Sequence, residues 1–168
     1  MTPFTGIPDL LLAPFAGHGD DAWYRAPQGK WNAAQIVDHL AIAVGGSANT
    51  FASRADKPAM TRRPRSMPQV LAWRWVSATG YFGPPRRAPE MTLPGVSPDH
   101  RDAQARLREG IATFLKLERE LLPRRAFDLF VKHPVFGDLT LPEFMTFHVR
   151  HAEHHARQIR ELMRKAVL

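Results

Sequence analysis

The C-terminal segment most constrains the fold, because it begins like a long helix and carries four of the eight histidines of the chain. Thr140 and Glu143 form a T-x-x-E capping box with Pro142 in the first turn, and this pattern predicts a helix from Leu141 to about Lys165. The four histidines lie in the window 148–155 of that helix. Helical geometry therefore decides which of them can act together.

Helical spacing brings two of the four histidines to one face. Each helical residue advances by about 100°, so His151 and His155 lie one turn apart, whereas His154 points well away from His155. His148 lies on the same face, one turn before His151. Imidazoles at i and i+4 grip a single metal ion in helical zinc motifs, but such a pair can equally consist of ordinary hydrogen-bonded histidines. The pair needs a third ligand before it indicates a metal site.

Length and composition indicate a globular protein. The chain has 168 residues and a mass of 19.0 kDa, with 44% hydrophobic and 23% charged residues, which predicts one domain over residues 1–168. There is no cysteine, so histidine, aspartate and glutamate are the available metal ligands. The sequence has no secretory signal pattern and no apolar run long enough to span a membrane. We therefore expect a cytoplasmic protein without a membrane partner.

The formal charge of +7 raises the question of nucleic-acid binding. Charge of this size supports weak, salt-sensitive association with polyanions. The basic residues are scattered, however, with small clusters at 62–65, 86–87 and 124–125 that lie in or beside proline-rich sequence and predict solvated loops. None of these clusters begins a known nucleic-acid-binding motif, so we expect no specific nucleic-acid partner.

Two other segments of the chain show apolar residues that indicate helices. Residues 8–23 contain several apolar side chains but are interrupted by Pro14, which predicts a short or broken first helix. Residues 99–122 carry an apolar stripe on a charged background and predict a long helix that Pro123 ends. We find no β-hairpin signal and no convincing alternating strand, so the predicted fold class is all-α.

A second helix begins near the first third of the chain. Asn32 with Gln35 three residues later forms a plausible capping box, and apolar spacing continues to about Arg54. His39 lies at the edge of the apolar face, whereas Asp38 points about 100° elsewhere. On its own, His39 can be read as an ordinary boundary histidine.

The middle of the chain, residues 57–98, is rich in proline and predicts a long connection with one short helix at about 68–81. Its aromatic residues could form a lid, the wall of a substrate pocket, or a satellite core beneath a long loop: Trp73, Trp75, Tyr81 and Phe82. The long helices on either side predict a helical bundle, in which metal or ligand sites are built from facing helices.

Two sequence blocks, at residues 29–40 and 151–159, resemble the DinB/YfiT-like superfamily of metal-binding four-helix bundles. The first block reads Gly-Lys-Trp-Asn-Ala-Ala-Gln-Ile-Val-Asp-His-Leu, and the second reads His-Ala-Glu-His-His-Ala-Arg-Gln-Ile. The His-Pro-Val-Phe-Gly segment at 133–137 is similar to one uncharacterised branch of this superfamily, in which a His-Pro-x-Phe-Gly segment introduces the last helix.

The resemblance implies both a topology and a metal site. It implies a four-helix bundle of up-down-down-up topology, here with a short first helix and a long proline-rich connection between the second and third main helices. It also implies that His39 of the second helix joins His151 and His155 of the fourth as metal ligands. Homodimers are frequent in the superfamily, so a homodimer is expected.

Three neutral imidazoles leave positions open on a divalent ion, which is typical of a catalytic site. Zinc, nickel and iron all fit this ligation. Such an ion could activate water or hold a thiolate, and the superfamily includes thiol S-transferases and a hydrolase-like activity. Because the chain has no cysteine, a thiol would have to come from a low-molecular-weight cosubstrate.

The expected function is therefore that of a divalent-metal-dependent transferase or hydrolase acting on a small molecule. Glu153 lies on the wrong face to act as its acid or base, and His148 is either a neighbour of the ligands, a proton shuttle or plain core. Gln158 could hydrogen-bond near the site. The alternatives are a non-catalytic, stress-related bundle that binds a metal or a small molecule, and a basic protein associated with nucleic acid.

Overall fold

The computed structural model of the chain describes residues 2–84 and 87–165, with only the backbone of Lys165. Within these residues the structure is mostly helical, with one small antiparallel hairpin between the last two helices. The elements are α1 Ile7–Leu12, α2 Ala33–Ala52, α3 Met67–Thr79, α4 His100–Arg125, β1 Val131–His133, β2 Gly137–Leu139 and α5 Leu141–Lys165. None of the described helices is long and apolar enough to cross a membrane.

The predicted capping boxes begin the two helices that matter most for the site. At α2, the Asn32 side chain accepts a hydrogen bond from the Gln35 amide at 2.9 Å, and the Gln35 side chain accepts one from the Asn32 amide at 3.1 Å. At α5, Thr140 and Glu143 exchange the same two bonds at 3.3 and 2.8 Å. Each box satisfies backbone donors that a helix start leaves free. The start of both helices therefore follows from sequence alone.

Helices α2 and α4 run parallel and share the most extensive helix contact among the described residues. Near their N-terminal ends, Arg106 donates a hydrogen bond to Asp38 at 2.8 Å. Further along both helices, the rings of Phe51 and Phe114 meet at a centroid distance of 6.1 Å. Residues later in α2 contact residues later in α4, so the two helices run in the same direction.

Helix α5 runs antiparallel to α2. The ring of Phe51, at the end of α2, lies 5.4 Å from that of Phe144, at the start of α5. Towards the other end of the same pair, the rings of His39 and His155 lie 5.2 Å apart. The antiparallel packing therefore brings the N-terminal turns of α2 beside the later turns of α5.

The first helix is short, as predicted, and it completes the bundle. Helix α1 has six residues and passes into a 3₁₀ turn at Ala13–Phe15 that contains Pro14. Phe4, just before α1, packs on Phe114, whereas Leu11 lies in a crevice with Leu107. Helix α1 is thus antiparallel to α4, and α1, α2, α4 and α5 form the predicted up-down-down-up bundle.

The prediction that the chain contains no hairpin is wrong. Strands β1 and β2 pair antiparallel, with Val131 opposite Leu139 and His133 opposite Gly137. Three residues per strand are too few to show alternation in the sequence. The His133 ring forms the turn instead, since its Nδ1 accepts the amide protons of Val135 at 3.1 Å and Phe136 at 3.3 Å. Helix α4 also continues two residues past Pro123, to Arg125.

The cluster at 62–65 lies in a partly exposed loop, as predicted, but its arginines pair with carboxylates. Arg62 and Arg65 both donate to the Glu143 carboxylate, at 2.8–2.9 Å. Arg63 forms a two-point ion pair with the buried Asp138 and lowers the pKa of that carboxyl through its hydrogen bonds. These pairs join the chain before α3 to the hairpin and to the start of α5. The sequence did not show them, because each partner lies more than seventy positions away.

The cluster at 124–125 is also partly buried. The Arg125 guanidinium donates to the carbonyls of Ala55 and Lys57, both at 2.6 Å, and pairs with Asp128 at 3.1 Å. It therefore satisfies carbonyl groups just beyond the end of α2. Of the remaining cluster, Arg86 lies outside the described residues, and Arg87 is exposed.

We predict that Gly110→Ala destabilises the protein while Gly46→Ala does not. A Cβ at Gly110 would lie 3.0 Å from Val44 Cγ1 and 3.1 Å from the Gly45 backbone nitrogen, which would push α2 and α4 apart. We expect the free energy of unfolding to fall by about 1–2 kcal/mol, as for other overpacked sites. A Cβ at Gly46 meets nothing within 4 Å, so this change should stabilise by up to about 1 kcal/mol through helix propensity. Denaturant unfolding of both variants checks this, and equal stabilisation would contradict the close helix contact.

We predict that His133 makes stability depend on pH. Burial lowers the pKa of His133 to about 4, below the value of about 6.5 in an unfolded chain. The unfolded state therefore binds the proton first, and the stability contributed by the neutral ring is present above pH 6.5 and is lost as pH falls towards 4. Between pH 7.5 and 5 we expect a loss of about 2 kcal/mol that is missing in His133→Asn, whose side-chain oxygen can still accept the turn amides. Parallel pH profiles for both proteins would contradict the assignment.

Candidate metal centre

Three imidazoles from two helices converge on one point. His39 lies in the second turn of α2, and His151 and His155 lie one turn apart on α5. The Nε2 atom of His151 lies 3.3 Å from that of His39 and 3.0 Å from that of His155. One ligand atom from each of the three rings lies within 4.8 Å of the others, close enough to hold one metal ion. The structure thus brings together the three histidines that the resemblance implies.

The outer nitrogens of two rings have acceptors that fix the direction of the inner ones. His39 Nδ1 lies 2.6 Å from the carbonyl oxygen of Thr92, and His155 Nδ1 lies 2.7 Å from Oε1 of Gln158. Since both partners accept, each neutral ring carries its proton on Nδ1 and turns the Nε2 lone pair inward. Histidine ligands of metal ions are commonly held in this way.

The short distances between the Nε2 atoms indicate whether the three histidines fit a metal ion. Two unprotonated Nε2 atoms at about 3 Å repel each other unless a cation or a proton lies between them. A proton on His151 Nε2 can be donated to only one neighbour at a time, whereas two Nε2 lone pairs, those of His39 and His155, face it. A divalent ion satisfies all three lone pairs at once. Three imidazoles without a thiolate suit zinc, nickel or iron.

Burial keeps the three rings neutral. Burial, with a smaller contribution from the nearby His39, lowers the pKa of His155 to about 3. Burial lowers the pKa of His151 well below its ordinary value, with His155 and His39 adding to the effect. Burial also lowers the pKa of His39, against the Thr92 hydrogen bond and the Asp38 carboxylate, which raise it. Neutral imidazoles are the form that binds a metal.

A loop from the proline-rich middle supplies the Thr92 carbonyl, and α2 holds this loop. Asp38 accepts a hydrogen bond from the Gly95 amide at 2.8 Å and one from Arg106 at 2.8 Å. Gln35 donates to the Gly95 carbonyl at 3.3 Å. Helical geometry predicts that Asp38 points away from His39, and the sequence indicates no role for it. The role follows only from the position of the loop, which starts more than fifty residues later.

Aromatic rings surround the histidines. Phe147 stacks on His151 at 5.3 Å, Trp31 lies 5.2 Å from His39, and Phe82 lies 5.7 Å from His151. The sequence predicts that the middle aromatic residues form one cluster, but the structure separates them. Phe82 reaches the histidines, Trp73 packs on Phe136 in the core, and two others are exposed: Trp75 and Tyr81.

The other histidines of the last helix lie outside the convergence. His148 is buried in the core, where its Nε2 lies 2.7 Å from the Ser47 hydroxyl, and burial lowers its pKa to about 3. His154 faces Gln158, whose amide nitrogen lies 3.1 Å from its Nε2. Glu153 binds Arg150 at 2.9 Å and points away from the three rings, as helical geometry predicts. His154 contacts the ring of His155 at 5.2 Å, but among these residues Gln158 is the one that forms a hydrogen bond with a converging ring.

Fold and site together define a four-helix bundle with a three-histidine cluster between its second and last main helices. The chain belongs to the family described as "Protein of unknown function (DUF1569)", whose model matches residues 22–162. Its fold is similar to that of YfiT from Bacillus subtilis, with a TM-score of 0.62 and 21% sequence identity over 97% of this chain and 83% of that one. YfiT is described as a probable metal-dependent hydrolase with an unusual four-helix bundle topology. The search of curated proteins gave no match.

We predict that Gln158 controls metal affinity. In Gln158→Leu the acceptor for the proton on His155 Nδ1 is lost, so the neutral ring can carry its proton on Nε2 instead. Because that proton occupies the ligating nitrogen, we expect affinity for zinc to fall about 10–100-fold. Gln158→Glu keeps an acceptor oxygen and should keep affinity near that of the wild type. Competition titration with a chelator measures both, and Gln28→Leu, in an exposed turn, is the matched control. Equal affinity in Gln158→Leu and the control would show that the hydrogen bond has no such role.

Proposed function

We propose that this protein is a divalent-metal-dependent enzyme whose ligands are His39, His151 and His155. One observation carries the proposal: three buried or half-buried imidazoles aim their Nε2 atoms at one point, and two of them are oriented by acceptors behind the ring. We further propose that residues 1–168 form one domain around this site and that the protein is cytoplasmic.

The proposed chemistry uses a nucleophile that the protein does not itself provide. An ion held by three neutral ligands keeps coordination positions open and lowers the pKa of a water or thiol that binds there. Because the chain has no cysteine, its own side chains offer no thiol. Water is the first candidate nucleophile, which makes the reaction a hydrolysis, and the description of YfiT as a probable metal-dependent hydrolase supports this choice. A low-molecular-weight thiol, as in S-transfer, is the second.

The protein's own residues would bind the ion, orient its ligands and exclude bulk water from the site. His39, His151 and His155 bind the ion, while Thr92 and Gln158 hold the outer protons of two of these rings. Trp31, Phe82 and Phe147 cover the histidines with apolar surface, which favours a small molecule with an uncharged, apolar part near the reacting group.

The nucleic-acid alternative has less support than the sequence suggests. Several of the arginines that give the chain its positive charge bind carboxylates or carbonyls of the same chain: Arg62, Arg63, Arg65, Arg106 and Arg125. These cations are not free for phosphate. The alternative with more support is a bundle that binds the metal without catalysis.

We predict about one divalent ion per chain, bound through the three histidines. His39→Ala, His151→Ala and His155→Ala should each weaken binding by more than about a hundredfold, beyond the loss expected from removing a residue behind a ligand. His18→Ala, in an exposed loop, is the matched control and should keep the ion. Metal analysis of purified protein and titration with zinc, nickel and iron(II) measure this. A chain that is free of metal and indifferent to all three ions would overturn the proposal.

Activity then separates the two candidate functions. The metal-loaded protein is assayed with a panel of esters and amides, and with electrophiles in the presence of a small thiol. Turnover that needs both the ion and the three histidines supports an enzyme, and the panel that reacts identifies water or thiol as the nucleophile. A bound ion without turnover in either panel supports the non-catalytic bundle.

A further inference from the structure

His154 lies beside a proposed ligand of the metal ion without being one itself. Its half-buried ring contacts that of the ligand His155 at 5.2 Å and that of Phe82 at 5.3 Å. Among the described residues, the histidines close enough to hold one ion do not include it. A histidine that packs on a ligand but points away from the ion can act on the site through an intermediate side chain.

The side chain of Gln158 joins the two neighbouring histidines. It lies one turn after His154 on α5, and its amide nitrogen lies 3.1 Å from His154 Nε2. The oxygen of the same amide lies 2.7 Å from His155 Nδ1. The two hydrogen bonds run in one direction, from His155 Nδ1 to the amide oxygen and from the amide nitrogen to His154 Nε2. They link a proposed ligand to a residue outside the converging group.

The orientation of this amide decides which nitrogen of His155 carries the proton. An amide has one end that accepts a hydrogen bond and one that donates. With its oxygen towards His155, Gln158 accepts the proton on Nδ1, and the Nε2 lone pair stays free for an ion. The reversed amide would donate to Nδ1, so the neutral ring would have to carry its proton on Nε2, the ligating atom. His155 can therefore bind a metal ion with only one of the two orientations.

His39 has no such ambiguity behind its ring. Its Nδ1 lies 2.6 Å from the backbone carbonyl oxygen of Thr92, and a carbonyl has no donor end to exchange. Gln158 is exposed, and water can pair with either end of an amide, so solvent alone does not select its orientation. Selection requires a protein group at the far end of the amide, and His154 lies there.

We propose that His154 is a positioning residue for the metal site. Its Nε2 accepts a hydrogen bond from the Gln158 amide nitrogen, which keeps the amide oxygen on His155 and the His155 proton away from the ligating atom. Hydrogen bonds in such a chain strengthen one another. The inference rests on the proposed three-histidine site, and it gives a role in that site to a histidine that is not a ligand.

Zinc affinity in two backgrounds measures this role. His154→Phe keeps an aromatic ring against Phe82 and His155 but removes the acceptor, so the Gln158 amide can reverse. Because the net contribution of one hydrogen bond is modest, we expect zinc affinity to fall about 2–10-fold. In a Gln158→Glu protein the same change should leave affinity unchanged, because a carboxylate has an oxygen at both ends and needs no partner to orient it. Competition with a chelator measures the wild type, both single variants and the double variant.

The matched control is His18→Phe, the same change at an exposed histidine outside the helices, and it should bind zinc as the wild type does. An equal loss of affinity on His154→Phe in both backgrounds would assign the ring a packing role alone. That result would overturn the proposal.

Nitrogen NMR of the metal-free protein observes the His155 tautomer directly and does not depend on zinc binding. At about pH 7.5, above the ordinary histidine pKa of about 6.5, we expect the wild type to carry this proton on Nδ1. His154→Phe should increase the fraction with the proton on Nε2, and adding Gln158→Glu should restore Nδ1. An unchanged His155 tautomer in His154→Phe would overturn the inference, even if zinc binds. A wild type that binds no metal but shows the tautomer shift would instead overturn the proposed function and support the positioning of His155 by His154.

Discussion

The site depends on the convergence of three imidazole lone pairs, and the rest of the structure is arranged to produce it. Unprotonated nitrogens that face each other at about 3 Å repel unless a cation or a proton lies between them, and the hydrogen bonds behind His39 and His155 turn the lone pairs of both rings towards His151. Burial adds to this constraint, because it lowers the pKa of each ring and so favours the neutral imidazoles over the charged form. The three histidines could therefore hold a metal ion without first changing their orientation.

Helix packing sets the positions of these ligands. Antiparallel packing of α2 and α5 places His39 opposite the last histidines of the chain. Parallel packing of α2 on α4, through the close approach at Gly110, allows Arg106 to reach Asp38. Asp38 then holds the loop whose Thr92 carbonyl orients His39. A change at the helix crossing is therefore expected to act on the site through a continuous set of contacts.

The parts of the structure that could be predicted are those with local causes. The two capping boxes fix the starts of α2 and α5, and the helical period alone pairs His151 with His155 and excludes His154. His39 was identified only through the resemblance, because nothing local distinguishes it from a boundary histidine. Its partner Thr92 contributes a backbone carbonyl, which any residue could supply, so the sequence contains no signal for that contact. The hairpin and the arginine pairs with Asp138 and Glu143 were missed for the related reason that they join distant segments.

X-ray absorption spectroscopy of the zinc-loaded protein tests the central claim most directly, because it observes the ligands themselves. The structure predicts an ion bound by three imidazole nitrogens at about 2.0–2.1 Å, with the remaining coordination filled by oxygen from solvent. In His39→Ala the imidazole scattering should fall by about one third, if the ion is retained at all. A spectrum dominated by carboxylate oxygen, or one with imidazole scattering unchanged in His39→Ala, would show that the converging histidines are not the metal site.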